Sequence, residues 1–294
     1  MATNHANRGR GRRSPRLFIH QIFYDQATRA RLEPGYLPLD NTENLRPDWY
    51  EFWVMLKYLR GRDLDNDAWY GFLSPRFRDK TGYDAKTVFD IVRQSDTTSD
   101  VVLLSHGWDQ IAYFLNVFEQ GEVWHPGITR LARQFLDHIG FAADLSTMVM
   151  HSTTAVLSNQ VVAKARYWRE WRAIAEKFWD YVEHDPTADP LMRGSVAYGT
   201  AESQAPFKAF VQERLASIVL ATGRFRVNCA DASHWAPIYT RLFHDDPGTR
   251  QALRRCDLLK QHYTASGDVR YLQQYHETRR GITLRVPDTS QHDR

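Results

Sequence analysis

A chain of 294 residues with 43% hydrophobic and 25% charged side chains has the balance of a globular protein, with length for one large α/β domain or two small ones. No apolar run approaches the roughly 20 residues that cross a bilayer, and Cys229 and Cys256 lack the close spacing of a zinc site or a redox pair. The chain therefore reads as soluble or peripheral in a reducing cytoplasm, and its net charge of +3 is mildly basic.

Residues 1 to 16, MATNHANRGRGRRSPR, carry Arg and Gly without an apolar face or the apolar stretch of a secretion signal. They read as a flexible basic tail that either keeps the chain soluble or touches an anionic membrane surface. Binding of nucleic acid would rest on this tail alone and is not expected. LFIHQIFY (17–24) is β-rich, DQATRARLEPG after it reads as a loop, and YLPLD (36–40) is a short second strand. A helix begins near Pro47 and Asp48, with Trp49, Phe52, Trp53, Leu56 and Leu59 at helical spacing and Gly61 as its stop. Ala68 to Leu73 and SDVVLLS (99–105) are strands. Helices follow over about 109–118 and 128–139, separated by GEVWHPG.

TTAVLSNQVVAK (153–164) reads as a further strand interrupted by Ser158-Asn159-Gln160, and Trp168, Trp171, Ala175, Phe178 and Val182 mark the helix after it. HDPTADPLMRGSVAYGTAESQAP reads as a long loop, of the kind often used as a lid or binding loop. A helix carrying Phe207, Phe210, Val211, Leu215 and Ile218 comes next, then the strand RFRVNCA and a polar helical segment beyond Pro247. Strands alternating with helices predict an α/β fold with a mostly parallel sheet flanked by helices. The expected organisation is a tail over 1–16, a main domain over 17–246, and a helical extension with a tail over 247–294.

No Gly-rich phosphate loop, HExxH or GxSxG is present, and the histidines are scattered. Three local features stand out. The strand at 68–73 runs into Ser74-Pro75-Arg76, with Arg78 and Lys80 beyond. Proline ends regular pairing, and cations where a strand leaves the core are placed for an anion, although a solvated turn has the same composition. Asn159 is an amide inside an apolar run, where burial without a hydrogen bond costs on the order of 1–3 kcal/mol, so it needs a structural partner or a ligand. Arg214 lies on or beside the apolar stripe of its helix and needs a carboxylate or an anionic ligand. Asp245-Asp246 is an acidic pair that reads as a solvated turn more readily than as a metal site.

Taken in order, LFIHQIFYDQ, LPLDNTENLRPDWYEFWVMLKYL, WYGFLSPRF, LSNQVVAKARYWREW and FVQERLASIVL resemble a family of bacterial capsule and exopolysaccharide proteins. That family looks like GT-A-type glycosyltransferases and is distantly similar to the galactosyltransferase-like family 8 enzymes. The resemblance runs over most of residues 17 to 230 and implies a GT-A-like, Rossmann-related fold. Most GT-A enzymes carry Asp-x-Asp at the strand end where this chain has Ser74-Pro75-Arg76, and relatives in the capsule family usually have His-Tyr-Arg there. Neither offers the carboxylates a hard cation wants.

The resemblance therefore implies a metal-independent transfer of a hexose from a nucleotide sugar, such as a UDP-sugar, to a glycan or lipid-linked oligosaccharide of a surface polysaccharide. The setting would be the cytoplasm, at the inner face of the cytoplasmic membrane. Arg76, helped by Arg78 or Lys80, would compensate the leaving diphosphate. Tyr24, Asp25, Asp40, Asn41, Asn44, Ser74, Lys80 and Asn159 would border the donor, with Glu51 and Arg214 holding the pocket from behind. Asp109 is the candidate general base, needed only if configuration is inverted. No cofactor or metal is expected. The alternative from another class is a non-catalytic GT-A-like module that binds carbohydrate or protein.

Overall fold

Short apolar strands that carry large side chains on both sides need cover on both faces, and the helices between them supply it. The computed structural model describes residues 15–285 apart from 199, 235 and 239–241. The expected basic tail lies outside the described residues except for Pro15 and Arg16, and Arg16 already opens the first strand.

In chain order the elements begin β1 (Arg16–Phe23), α1 (Gln26–Ala30), β2 (Leu37–Asp40), a 3₁₀ turn at Pro47–Trp49, α2 (Tyr50–Arg60), β3 (Ala68–Leu73), α3 (Phe77–Thr81) and α4 (Ala85–Ser95). They continue β4 (Val101–Leu103), α5 (Trp108–Tyr113), α6 (Val117–Trp124), α7 (Ile128–His138), β5 (Val161–Lys164) and α8 (Ala165–His184). The last are β6 (Ser195–Tyr198), β7 (Thr200–Pro206), α9 (Lys208–Gln212), α10 (Leu215–Leu220), β8 (Val227–Cys229), α11 (Pro247–Ser266) and α12 (Val269–Arg280).

Six strands form one sheet in the order β2-β1-β3-β5-β4-β8. All neighbours are parallel except at β5, which is antiparallel to both β3 and β4. This bears out the mostly parallel α/β sheet. The helices sort by face. Ile22, Tyr70, Phe72 and Val161 join Phe52, Leu56, Trp168, Trp171 and Phe178 in the larger core. The Trp168 indole N–H donates to the carbonyl of Tyr70 at 3.0 Å and so fastens α8 to β3. On the opposite face Ile19, Trp69, Leu73 and Val162 pack against Val88 and Val92 of α4. At Gly71 a β-carbon would lie 2.9 Å from Val162 Cγ2 and 3.2 Å from Ile19 Cγ2, so the central strand needs glycine for close approach.

Several expectations are corrected. The loop after β1 contains α1, because Asp25 accepts from the Thr28 amide at 2.7 Å and closes a capping box. The helix expected over 109–118 breaks at Asn116, whose side chain caps α6 through the Phe118 and Glu119 amides, each at 2.9 Å. α6 therefore absorbs the first residues of GEVWHPG. Of the strand expected over 153–164 only Val161–Lys164 pairs, since Ser158 and Asn159 have φ of 62° and 48°, which a ladder does not accept. The long loop after α8 contains the β6–β7 hairpin, and the helix expected from Phe207 is two pieces that meet at Glu213-Arg214. The C-terminal helices share a third core with α5, built on Tyr113, Phe114, Leu253, Cys256 and Tyr275. Lys260 of α11 is buried there and donates to the carbonyls of Ile111 and Phe114, both at 2.6 Å, which caps the end of α5. No helix among the described residues is long and apolar enough to cross a membrane.

Candidate functional site

Strand β1 lies between β2 and β3, so the chain leaves it toward one side and returns on the other. In open parallel sheets that reversal leaves a crevice at the carboxyl ends of the strands. The residues that follow these strand ends are Tyr24 after β1 and Ser74 and Arg76 after β3, with Lys80 one turn further in α3.

Their charges act on one another. Burial pushes the Tyr24 phenol above its usual value, the carboxylates of Glu51 and Asp25 push it further, and Arg76 opposes them. Burial raises the Glu213 carboxyl, Arg214 and Lys80 hold it back, and Glu51 raises it again. Burial takes the His106 imidazole down to about 4, its bond to Gln160 resists, and Lys80 adds to the lowering. A phenol, three carboxyl groups (Asp25, Glu51 and Glu213), three cations (Arg76, Lys80 and Arg214) and a neutral imidazole are thus linked pairwise by their fields, from the end of β1, α2, α3, the β4–α5 turn and the α9–α10 break. Arg76 is exposed at the start of α3 and makes no side-chain capping bond, while Lys80 is half-buried.

Beside these groups, Gln160 Oε1 accepts from the His106 amide and contacts its Nδ1, both at 3.1 Å. The Leu104 amide donates to the Gln160 carbonyl at 3.0 Å, so the end of β4 is held against the start of β5. Asn159, in its left-handed turn, has a buried Oδ1 with no hydrogen-bond partner among the described residues.

The donor residues expected from the sequence divide between two places. Asp40, Asn41 and Asn44 line a cavity of about 590 Å³ on the α2 side of β2, together with Trp53, Lys57 and Tyr58. Asp40 holds the Thr42 amide at 2.8 Å, and the Asn41 amide donates to the Phe23 carbonyl at 2.8 Å. Tyr24, Ser74, Arg76, Lys80 and Asn159 do not line that cavity. Asp25 serves as the cap of α1. Glu51 faces the cluster as a half-buried residue in the first turn of α2.

Two expected site residues are buried, and Asp109, the expected base, has 0% exposure within α5. Arg214 is buried and donates to neutral oxygens: the carbonyls of Val117 at 2.8 Å and Phe210 at 2.6 Å, and Gln120 Oε1 at 2.8 Å. Burial lowers its pKa to about 10, against the fields of Glu213 and Glu122. Its role is to tie α10 to α6, where Gly121 leaves room for it.

The sequence reading did not find a second cavity of about 380 Å³, between the ends of β4 and β8 and helices α5 and α11. The polar run after β8, CADASH, was its available signal. Asp245 is paired with Arg250, and Asp246 caps α11 through the Thr249 amide at 3.0 Å. Among the described residues no three His, Cys, Asp or Glu groups are gathered in a way that could hold a metal ion, and the Ser74-Pro75-Arg76 strand end does not fit one. The chain matches no family model, no curated protein and no solved structure.

Proposed function

We propose that this chain is a GT-A-type hexosyltransferase that moves a hexose from a nucleotide sugar, a UDP-sugar, to a hydroxyl of a glycan or lipid-linked oligosaccharide, with guanidinium and ammonium groups in place of a metal. The observation that supports the reading is that the fields of Arg76 and Lys80 act on Tyr24, His106 and Glu213, with Glu51 opposing them, near the carboxyl ends of β1 and β3 where the strand order reverses. Further support comes from the motifs of the family resemblance, which fall on β1, β2 with α2, β3, β5 with α8, and α9 with α10.

In this reading the diphosphate rests against Arg76, whose fork matches two phosphate oxygens, and Lys80 adds charge from the next turn. The bond from the anomeric carbon to the phosphate oxygen breaks with its electron pair going to the diphosphate. The growing negative charge is balanced by groups already in place. The acceptor oxygen bonds to the anomeric carbon, and its proton passes to the departing diphosphate oxygen. That route uses no side-chain base, in keeping with the burial of Asp109. In the same reading, the unpartnered Oδ1 of Asn159 would meet a hydroxyl of the donor or acceptor once the loop that buries it yields. Placement at the inner face of the cytoplasmic membrane follows from a lipid-linked acceptor and the basic N-terminal segment.

The test is donor hydrolysis and transfer by purified protein with a panel of nucleotide sugars, with and without EDTA. Retained turnover in EDTA that collapses in Arg76→Ala is the expected result. Loss of turnover on chelation defeats the metal-independent scheme. The burial of Asp109 also favours the non-catalytic module, which would hold an oligosaccharide and ignore nucleotide sugars in calorimetry.

A further inference from the structure

The second cavity has two kinds of wall. Trp108, Ile111 and Leu258 give it an apolar side, and Leu258 is 51% exposed at its rim. Ser105, Arg254, Asp257 and Gln261 give it a polar side. A flat apolar surface opposite fixed planar polar groups suits a pyranose ring, whose C–H face stacks while its rim of hydroxyls forms hydrogen bonds.

The polar side is held in place before any ligand arrives. Asp257 accepts from the Ser152 amide at 2.8 Å, the Ser152 hydroxyl at 2.7 Å and the Gln261 amide nitrogen at 2.7 Å. The Arg254 guanidinium is anchored by donation to the Ser233 carbonyl at 3.0 Å. Two groups are left over. Ser105 is 8% exposed, and its Oγ and the Nε of Arg254 are buried without a hydrogen-bond partner among the described residues. Buried donors normally find partners. A sugar hydroxyl both donates and accepts, so it satisfies either group.

We propose that this cavity seats a neutral hexose ring, the acceptor end of the transfer, an inference that rests on the glycosyltransferase reading above. Neutrality follows from the lining, in which Asp231 and Asp257 oppose Arg254 and leave no surplus of cations for a phosphate. Burial first, then Asp257 and Asp231, push the Cys229 thiol in the same wall up to about 12, which agrees with a field unfriendly to anions. The position agrees as well: Ser105 lines this cavity, and the next residue, His106, contacts Gln160 and lies within the field of Lys80.

The test follows the indole N–H resonance of Trp108 in the ¹⁵N-labelled full chain, identified by its loss in Trp108→Phe. Probes are methyl glucoside, methyl galactoside, methyl mannoside and cellobiose, with UDP in a separate arm. A neutral glycoside should shift this resonance saturably, and Ser105→Ala and Gln261→Ala should each weaken binding about threefold to tenfold. Ser105→Ala should leave the melting temperature unchanged or raised, because it removes a hydroxyl without a partner. The proposal is overturned if every glycoside leaves Trp108 unmoved, if both variants bind as the parent does, or if UDP shifts Trp108 as strongly as a glycoside. Bound UDP with no glycoside response ends this assignment and leaves the transferase reading standing. A glycoside response with no UDP binding supports the cavity and ends the transferase reading.

Discussion

Replacing Arg76 by alanine separates a functional cation from a structural one. Arg76 is exposed and makes no capping bond at the head of α3, so the fold should change by no more than about 0.5 kcal/mol. A charge-assisted hydrogen bond to a phosphate contributes about 1.5–3 kcal/mol. Its loss should weaken UDP binding by about tenfold to a hundredfold. The loss in turnover should be larger than the loss in affinity, because the diphosphate gains charge as its bond to the sugar breaks. Arg76→Lys keeps the charge but not the fork, and should recover only part of the loss. Calorimetric titration with UDP, paired with thermal melting of the same samples, reads both sides. UDP affinity in Arg76→Ala within twofold of the parent would refute the reasoning, as would a drop in melting temperature large enough to account for lost activity.

Arg214→Met would strip the hydrogen bonds from two backbone carbonyls and Gln120 Oε1 inside the protein. At about 1–3 kcal/mol for each buried group left unpaired, the loss should be about 3 kcal/mol or more. A denaturant midpoint close to the parent's would contradict it. Burial lowers His20, His106 and His151 from 6.5 to about 4 and His125 to about 3. The folded state favours neutral imidazole at each, so this stability is complete above pH 6.5 and is lost as pH falls from there toward 4. A fully buried imidazole contributes at most about 1.4 kcal/mol per pH unit in that window, and the half-buried His106 and His125 contribute less. Denaturant melts at pH 7.5, 6 and 5 should show the decline, and a flat profile would remove the assignment.

Periodicity carried the elements whose faces are simple. β1 and β3 alternate between two covered faces, and α2 and α8 repeat Trp and Phe at helical spacing, so each could be read locally. The apolar run before β5 misled, because continuity of apolar residues does not reveal a left-handed turn at Ser158-Asn159. α4 went unread although Asp84 caps it through the Thr87 amide at 2.8 Å and Val88 and Val92 give its buried stripe. The end of β3 was legible in the Ser74-Pro75-Arg76 run that follows it. Glu213, whose carboxyl feels the charge of Lys80, was not, since the approach of groups so far apart in the chain depends on how the helices pack. The second cavity was hidden for the same reason, because it exists only once α11 folds back onto α5.

The carboxyl groups among the cations set a condition on anion binding. Glu213 already has a raised pKa from burial, and Lys80 and Arg214 are what hold it down. A diphosphate arriving at Lys80 adds negative charge and engages that counter-charge, and both effects raise the carboxyl further. UDP binding should therefore take up protons and become tighter as pH falls. Isothermal titration in buffers of different ionisation enthalpy measures the uptake directly. Glu213→Gln, which keeps the shape and removes the titration, should abolish the buffer dependence and bind UDP at least as tightly at pH 7. Identical heats in every buffer, with UDP bound, would place the diphosphate away from Lys80 and leave Arg76 to act without it.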